Sequence, residues 1–142
     1  MSIRRKLFPE IQIGDKATFA KTMTESDIFA FSAITGDFNP VHVDKEFAKD
    51  SIFKQRVVHG MLTSGLIDTT LTALGGAGNI HLSQTLKFTA PVFLGDTITV
   101  TSEVSSKNEE KWRVTVKSVI TKQDGTTVVE GEGVLLIPRE KK

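Results

Sequence analysis

The chain has 142 residues and a mass of 15.6 kDa, the size of one ordinary domain. Hydrophobic residues make up 39% and charged residues 25%, and the formal net charge of +1 argues against general nucleic-acid binding, which normally needs a basic excess. The absence of cysteine excludes disulfides, thiolate catalysis and Cys-ligated zinc, and no apolar run approaches the roughly 18 residues that a membrane helix needs.

The basic start Met1-Ser2-Ile3-Arg4-Arg5-Lys6 leads into no apolar stretch of the signal-peptide kind, so the expected location is the cytoplasm. The stretch Arg139-Glu140-Lys141-Lys142 reads as solvated charge. No repeat, low-complexity tract or linker divides the sequence, so residues 1–142 are expected to form a single domain.

The first strand follows a Gly14-Asp15 turn and covers Lys16 to Thr22. Thr24-Glu25-Ser26-Asp27 then reads as a capped helix start with acids in its first turn. Thr35-Gly36-Asp37 ends that helix, with Gly36 free to take the left-handed conformation. A short second helix is predicted over Lys45 to Lys49. The third and longest helix runs from Gly60 to Leu74, where Met61, Leu62, Leu66, Thr69, Ala73 and Leu74 recur at spacings of three and four. It holds no Lys or Arg and a single acid, Asp68, for which a capping or hydrogen-bonding role is expected. Such a helix is predicted to be wrapped by other structure. Gly75-Gly76-Ala77-Gly78 closes the helix instead of opening one, which does not fit a phosphate-binding loop.

Four strands are predicted after it: Ile80 to Phe88, Asp96 to Ser105, Lys111 to Lys122 and Thr126 to Ile137. Ile98, Val100, Ser102 and Val104 alternate with polar neighbours, as do Trp112, Val114 and Val116. Asp124-Gly125 is a hairpin signal between the last two. Antiparallel strands with one polar face cover a core on the other. The economical assembly is an α+β fold in which one curved antiparallel sheet of about five strands wraps the uncharged helix.

The stretch Gly36-Asp37-Phe38-Asn39-Pro40-Val41-His42 carries the chemistry. As composition it reads as a turn, since Asp, Asn, Gly and Pro are turn residues. A second reading is a site: Asp37 and His42 flank a bend set by Pro40, so both can converge on one cavity. With reference pKa values of about 3.9 and about 6.5, they supply a carboxylate and a mostly neutral imidazole at neutral pH, suited to a base and a proton relay acting on water. Farther on, Val57-Val58-His59-Gly60-Met61 puts a glycine N–H at a helix start, a natural oxyanion donor. His42, His59 and His81 show no paired spacing for zinc, so no metal is expected.

The run from Thr24 to Ala48, including Thr-Gly-Asp-x-Asn-Pro-Val-His, resembles the signature of the MaoC-like, R-specific enoyl-CoA hydratases. His59-Gly60-Met61-Leu62 and Phe88-Thr89-Ala90-Pro91-Val92-Phe93-Leu94-Gly95-Asp96-Thr97 are similar to two further elements of these proteins, in the same order. The resemblance implies a hot-dog fold, assembled as a homodimer or higher homo-oligomer. It implies reversible syn hydration of a trans-2-enoyl-CoA to the (3R)-3-hydroxyacyl-CoA, with coenzyme A entering as part of the substrate and no cofactor. On this likeness Asp37 and His42 are the catalytic pair and Gly60 the donor to the thioester carbonyl. Asn39, His59 and Ser64 are assigned to the substrate-binding surroundings. Lys87, Lys111, Arg113 and Lys117 are candidates for coenzyme A phosphates. The rival readings are a dehydratase acting on carrier-protein thioesters, a thioesterase, and a non-catalytic acyl-thioester-binding subunit. The intact Asp-x-Asn-Pro-x-His stretch counts against the last two.

Overall fold

The computed structural model describes residues 2–139, so Met1 and the tail residues Glu140, Lys141 and Lys142 lie outside the described residues. Its strands are β1 (Lys16–Thr22), β2 (Ile80–Phe88), β3 (Thr97–Asn108), β4 (Arg113–Lys122) and β5 (Thr127–Leu136). Its helices are α1 (Glu25–Thr35), α2 (Pro40–Val43), α3 (Lys45–Lys49), α4 (Gly60–Gly65) and α5 (Ile67–Gly75).

The five strands form one antiparallel sheet in the order β1-β3-β4-β5-β2. Period-two alternation sends Ile98, Val100 and Val104 of β3 and Val114, Val116 and Ile120 of β4 to one face, where all are buried. The register aligns Val100 with Ile120 and Ile120 with Val129, so apolar side chains meet across neighbouring strands. Ile67, Leu71 and Leu74 of α5 press onto that face and complete the core.

The predicted helix from Gly60 to Leu74 is two segments. Around Leu66 the ladder tightens: Leu66 N–H donates to Thr63 O and Thr69 N–H to Leu66 O, both at 3.3 Å and both three residues back. Gly65, a poor helix former, immediately precedes this point. The helix pair is also wrapped on one side only. Ile67, Thr70, Leu71 and Leu74 are buried, whereas Gly65, Asp68, Thr69 and Ala73 are exposed in the single chain. Asp68 lies on the outer side, its Oδ1 3.2 Å from His81 Nδ1.

A chain of hydroxyls crosses the core beneath this joint. Thr70 Oγ1 donates to Ile67 O at 2.6 Å, lies 2.7 Å from Ser102 Oγ, and Ser102 Oγ lies 2.6 Å from Ser118 Oγ. All three side chains are buried. Because Thr70 commits its one proton to a carbonyl, Ser102 must donate to Thr70 and Ser118 to Ser102. The chain has a single direction.

Candidate active site

α1 begins with a capping box, Thr24 Oγ1 accepting from Asp27 N–H while Asp27 accepts from Thr24 N–H. It ends at Gly36, whose φ of 80° turns the chain out of the helix. Two side-chain turns follow. Asp37 Oδ1 accepts from Asn39 N–H at 3.0 Å, and Asn39 Oδ1 accepts from Val41 N–H at 3.2 Å. The second is the N-cap of α2, a helical turn that the sequence pattern did not predict, with Pro40 at its first position. Asn39 thus braces the loop with its carbonyl oxygen while lining the cavity described below.

α2 delivers His42 to the segment before α4. His42 Nδ1 lies 2.7 Å from Val57 O. A carbonyl only accepts, so this contact assigns the ring proton to Nδ1 and leaves Nε2 with a free lone pair. Arg56 fixes the same turn from outside: its Nε donates to His42 O at 2.7 Å and its guanidinium pairs with Glu25 on α1. Val57 N–H to Val41 O (3.2 Å) and Val58 N–H to Val92 O (2.8 Å) tie the segment to α2 on one side and to the β2–β3 loop on the other.

His59 stacks on His42 with ring centroids 3.8 Å apart and planes at 28°. Burial holds its imidazole below the ordinary pKa; the bond to the Asp37 carbonyl opposes this, and neighbouring His42 adds to it. Gly60 follows at the first position of α4, where backbone N–H groups lack intrahelical partners. A Cβ there would lie 2.8 Å from the Phe88 ring, so any larger residue requires that ring to shift.

These elements enclose a cavity of about 540 Å³ whose wall includes Asn39, His42, Gly60, Thr63, Phe88 and Val129. A second hollow of about 440 Å³ shares His42, Gly60 and Met61 with the first and adds Asp37 and His59. The structure therefore brings Asp37, Asn39, His42, His59 and Gly60 to one place. Ser64 stands apart: it is buried, its Oγ donates to Met61 O at 3.1 Å, and neither cavity wall includes it. Thr63 lines the larger cavity instead, and its buried Oγ1 has no partner among the described residues. Sequence reading passed over Thr63, although its place three residues after Gly60 on a helix marks it as sharing that glycine's face. Lys87, Lys111, Arg113 and Lys117 are exposed on the strand side and line neither cavity.

Ligating atoms of Asp37, His42 and His59 lie within 4.8 Å of one another. They do not fit a common cation. Imidazole lone pairs lie in the ring plane, and two stacked rings direct them along nearly parallel planes rather than to one point. The arrangement suits proton transfer: a carboxylate and an imidazole lone pair beside a mostly apolar cavity, with a backbone N–H at its rim.

Residues 10–128 match the family described as MaoC like domain. The (R)-specific enoyl-CoA hydratase of Rhodospirillum rubrum is 43% identical over 132 residues, covering 92% of this chain and 91% of that protein. The (R)-specific enoyl-CoA hydratase of Aeromonas caviae is 39% identical over 129 residues, 90% of this chain and 96% of its own. Among solved structures, the R-hydratase PhaJ1 from Pseudomonas aeruginosa superposes with a TM-score of 0.89 at 39% identity, covering 97% of this chain and 89% of that one. The sheet seated on α4 and α5 is the hot-dog fold, and the protein is a hydro-lyase. The chain belongs to the MaoC-like family.

Proposed function

We propose that the protein hydrates trans-2-enoyl-CoA reversibly to (3R)-3-hydroxyacyl-CoA, with Asp37 and His42 holding and deprotonating one water and Gly60 N–H polarising the thioester carbonyl. The observation that carries this reading is the bond from His42 Nδ1 to Val57 O, which turns the basic Nε2 away from the backbone in a residue lining both hollows. The relatives named above support the substrate class.

In this mechanism the enoyl chain lies along the apolar wall formed by Phe88, Val92, Val128 and Val129. Gly60 N–H meets the carbonyl oxygen and draws charge from C3. Asp37 takes a proton from the water that His42 Nε2 also holds, while the oxygen forms its bond to C3. Electrons of the C2–C3 double bond move toward the carbonyl oxygen as the enolate. The proton then returns to C2 on the face from which water came. One oxyanion donor is worth roughly 3–4 kcal/mol of barrier and a positioned base about 10²–10⁴-fold in rate. No step calls for a metal or organic cofactor. The same reading expects a cytoplasmic homodimer or higher homo-oligomer.

Stereochemistry tests this assignment. Both proton-handling groups approach from the one stretch between Asp37 and His42, so water reaches C3 from one side only. Purified protein incubated with crotonyl-CoA should give the R acid after hydrolysis and chiral chromatography, and no signal with a dehydrogenase strict for the (3S) isomer. Predominant S product rejects the loop geometry proposed here.

A further inference from the structure

His59, assigned by sequence to substrate binding, lies behind both proton-handling groups and is only 2% exposed. Its Nε2 is 3.2 Å from Asp37 O and 3.2 Å from Ser32 Oγ. The Asp37 carbonyl has no proton to give, so the assigned tautomer carries its proton on Nε2. The other nitrogen supports the same choice. Nδ1 is sealed from solvent with no partner among the described residues, and a bare lone pair there is easier to strand than an N–H. The ring contributes a second contact. One face stacks on the His42 imidazole at 3.8 Å, and Phe31 tilts against the ring at 4.7 Å and 57°.

We infer that His59 is a positioning residue for both members of the pair: its Nε2–H fixes the main chain of Asp37 while its ring face fixes the His42 imidazole. One buried side chain then sets the separation of the two groups that share the water. The residue suits this because it stays neutral. Burial disfavours a positive charge on its ring, and the neighbouring His42 disfavours it further. His59 therefore supports the pair without competing for its proton. Phenylalanine retains the stacked face and loses the donor, whereas glutamine retains a donor and loses the ring. The inference rests on Asp37 and His42 being the catalytic pair.

The test compares His59→Phe, His59→Gln and Asp37→Asn in steady-state hydration of crotonyl-CoA, with the wild-type histidine tautomers read by nitrogen-detected NMR. Misplacing reacting groups by a fraction of their contact distance costs turnover rather than affinity. His59→Phe should lower kcat about 10- to 100-fold with KM changed less than about twofold. His59→Gln should recover part of the loss. Raised KM with unchanged kcat would instead mark substrate contact and overturn the inference, as would wild-type kcat in both variants. If neither variant folds, the wild-type spectrum decides alone: a proton on Nε2 of His59 supports the inference and a proton on Nδ1 overturns it. Full turnover in Asp37→Asn would remove the underlying pair, an outcome distinct from intact kcat in the His59 variants beside an inactive Asp37→Asn.

Discussion

Asp37 and His42 reach the same hollow from the two ends of a stretch whose turns are made by its own side chains. Because they are proposed to share one water, their contributions are joint. Asp37→Asn and His42→Ala should each lower kcat by about 10²–10⁴-fold, and the double variant should lose little more than the worse single one. Stopped-flow hydration of crotonyl-CoA measures all three; a double-mutant loss equal to the product of the single losses would argue for two independent roles. The local part of this arrangement was legible in the sequence, since Asp-x-Asn-Pro states its own turns. The long-range part was not. Val57 O at His42 Nδ1 and Ser32 Oγ at His59 Nε2 join residues 15 and 27 positions apart, and no spacing rule encodes such contacts.

The β2–β3 loop shows how an element is held beside the site. Burial raises the carboxyl pKa of Asp96, but Gln123, Phe93 N–H and Lys122 outweigh it, and the net position is below the ordinary value. Lys122 also donates to Pro91 O at 3.1 Å, so one ion pair anchors the segment that forms part of the cavity wall. For a group depressed in the folded state, the stabilisation is complete above the unfolded pKa and is lost as pH falls through the folded one. Asp96→Asn should cost roughly 1–3 kcal/mol near neutral pH. It should also narrow the gap in stability between about pH 7 and about pH 3, as read by urea unfolding. Asp27, depressed in the same direction, stays in both proteins, so their difference isolates Asp96. An unchanged gap would remove Asp96 from the acid response. Element boundaries followed local signals where those were strong, as at Thr24, Gly36 and Asp124-Gly125. They failed where tertiary contacts decide: α2 is one turn held by its cap, and the joint at Leu66 leaves apolar periodicity intact.

Taken whole, the molecule leaves an edge and a face uncovered. β2 ends the sheet, and Ile80, Leu82 and Phe88 on it are 53%, 43% and 51% exposed. Unpaired edge strands with apolar side chains seek a partner. The outer face of α5 beside it carries the small residues Thr69 and Ala73 and the acid Asp68, which lies against His81 of β2. Sedimentation at micromolar concentration should therefore give a dimer or larger species, and a 15.6 kDa monomer that still hydrates crotonyl-CoA would exclude this assembly. The general architecture was legible because strands alternate and the long helix lacks Lys and Arg; how the helix seats on the sheet was not. That seating has a lock. If α5 slid along the sheet by a residue, Thr70 would leave Ser102, and the Ser102 hydroxyl would lose its acceptor. Each polar group stranded in this dry interior costs about 1–3 kcal/mol, a directional penalty added to the loss of Ile, Leu and Val packing. The three hydroxyls thus act less as glue than as an address: they add a direction-dependent penalty to a wrong docking.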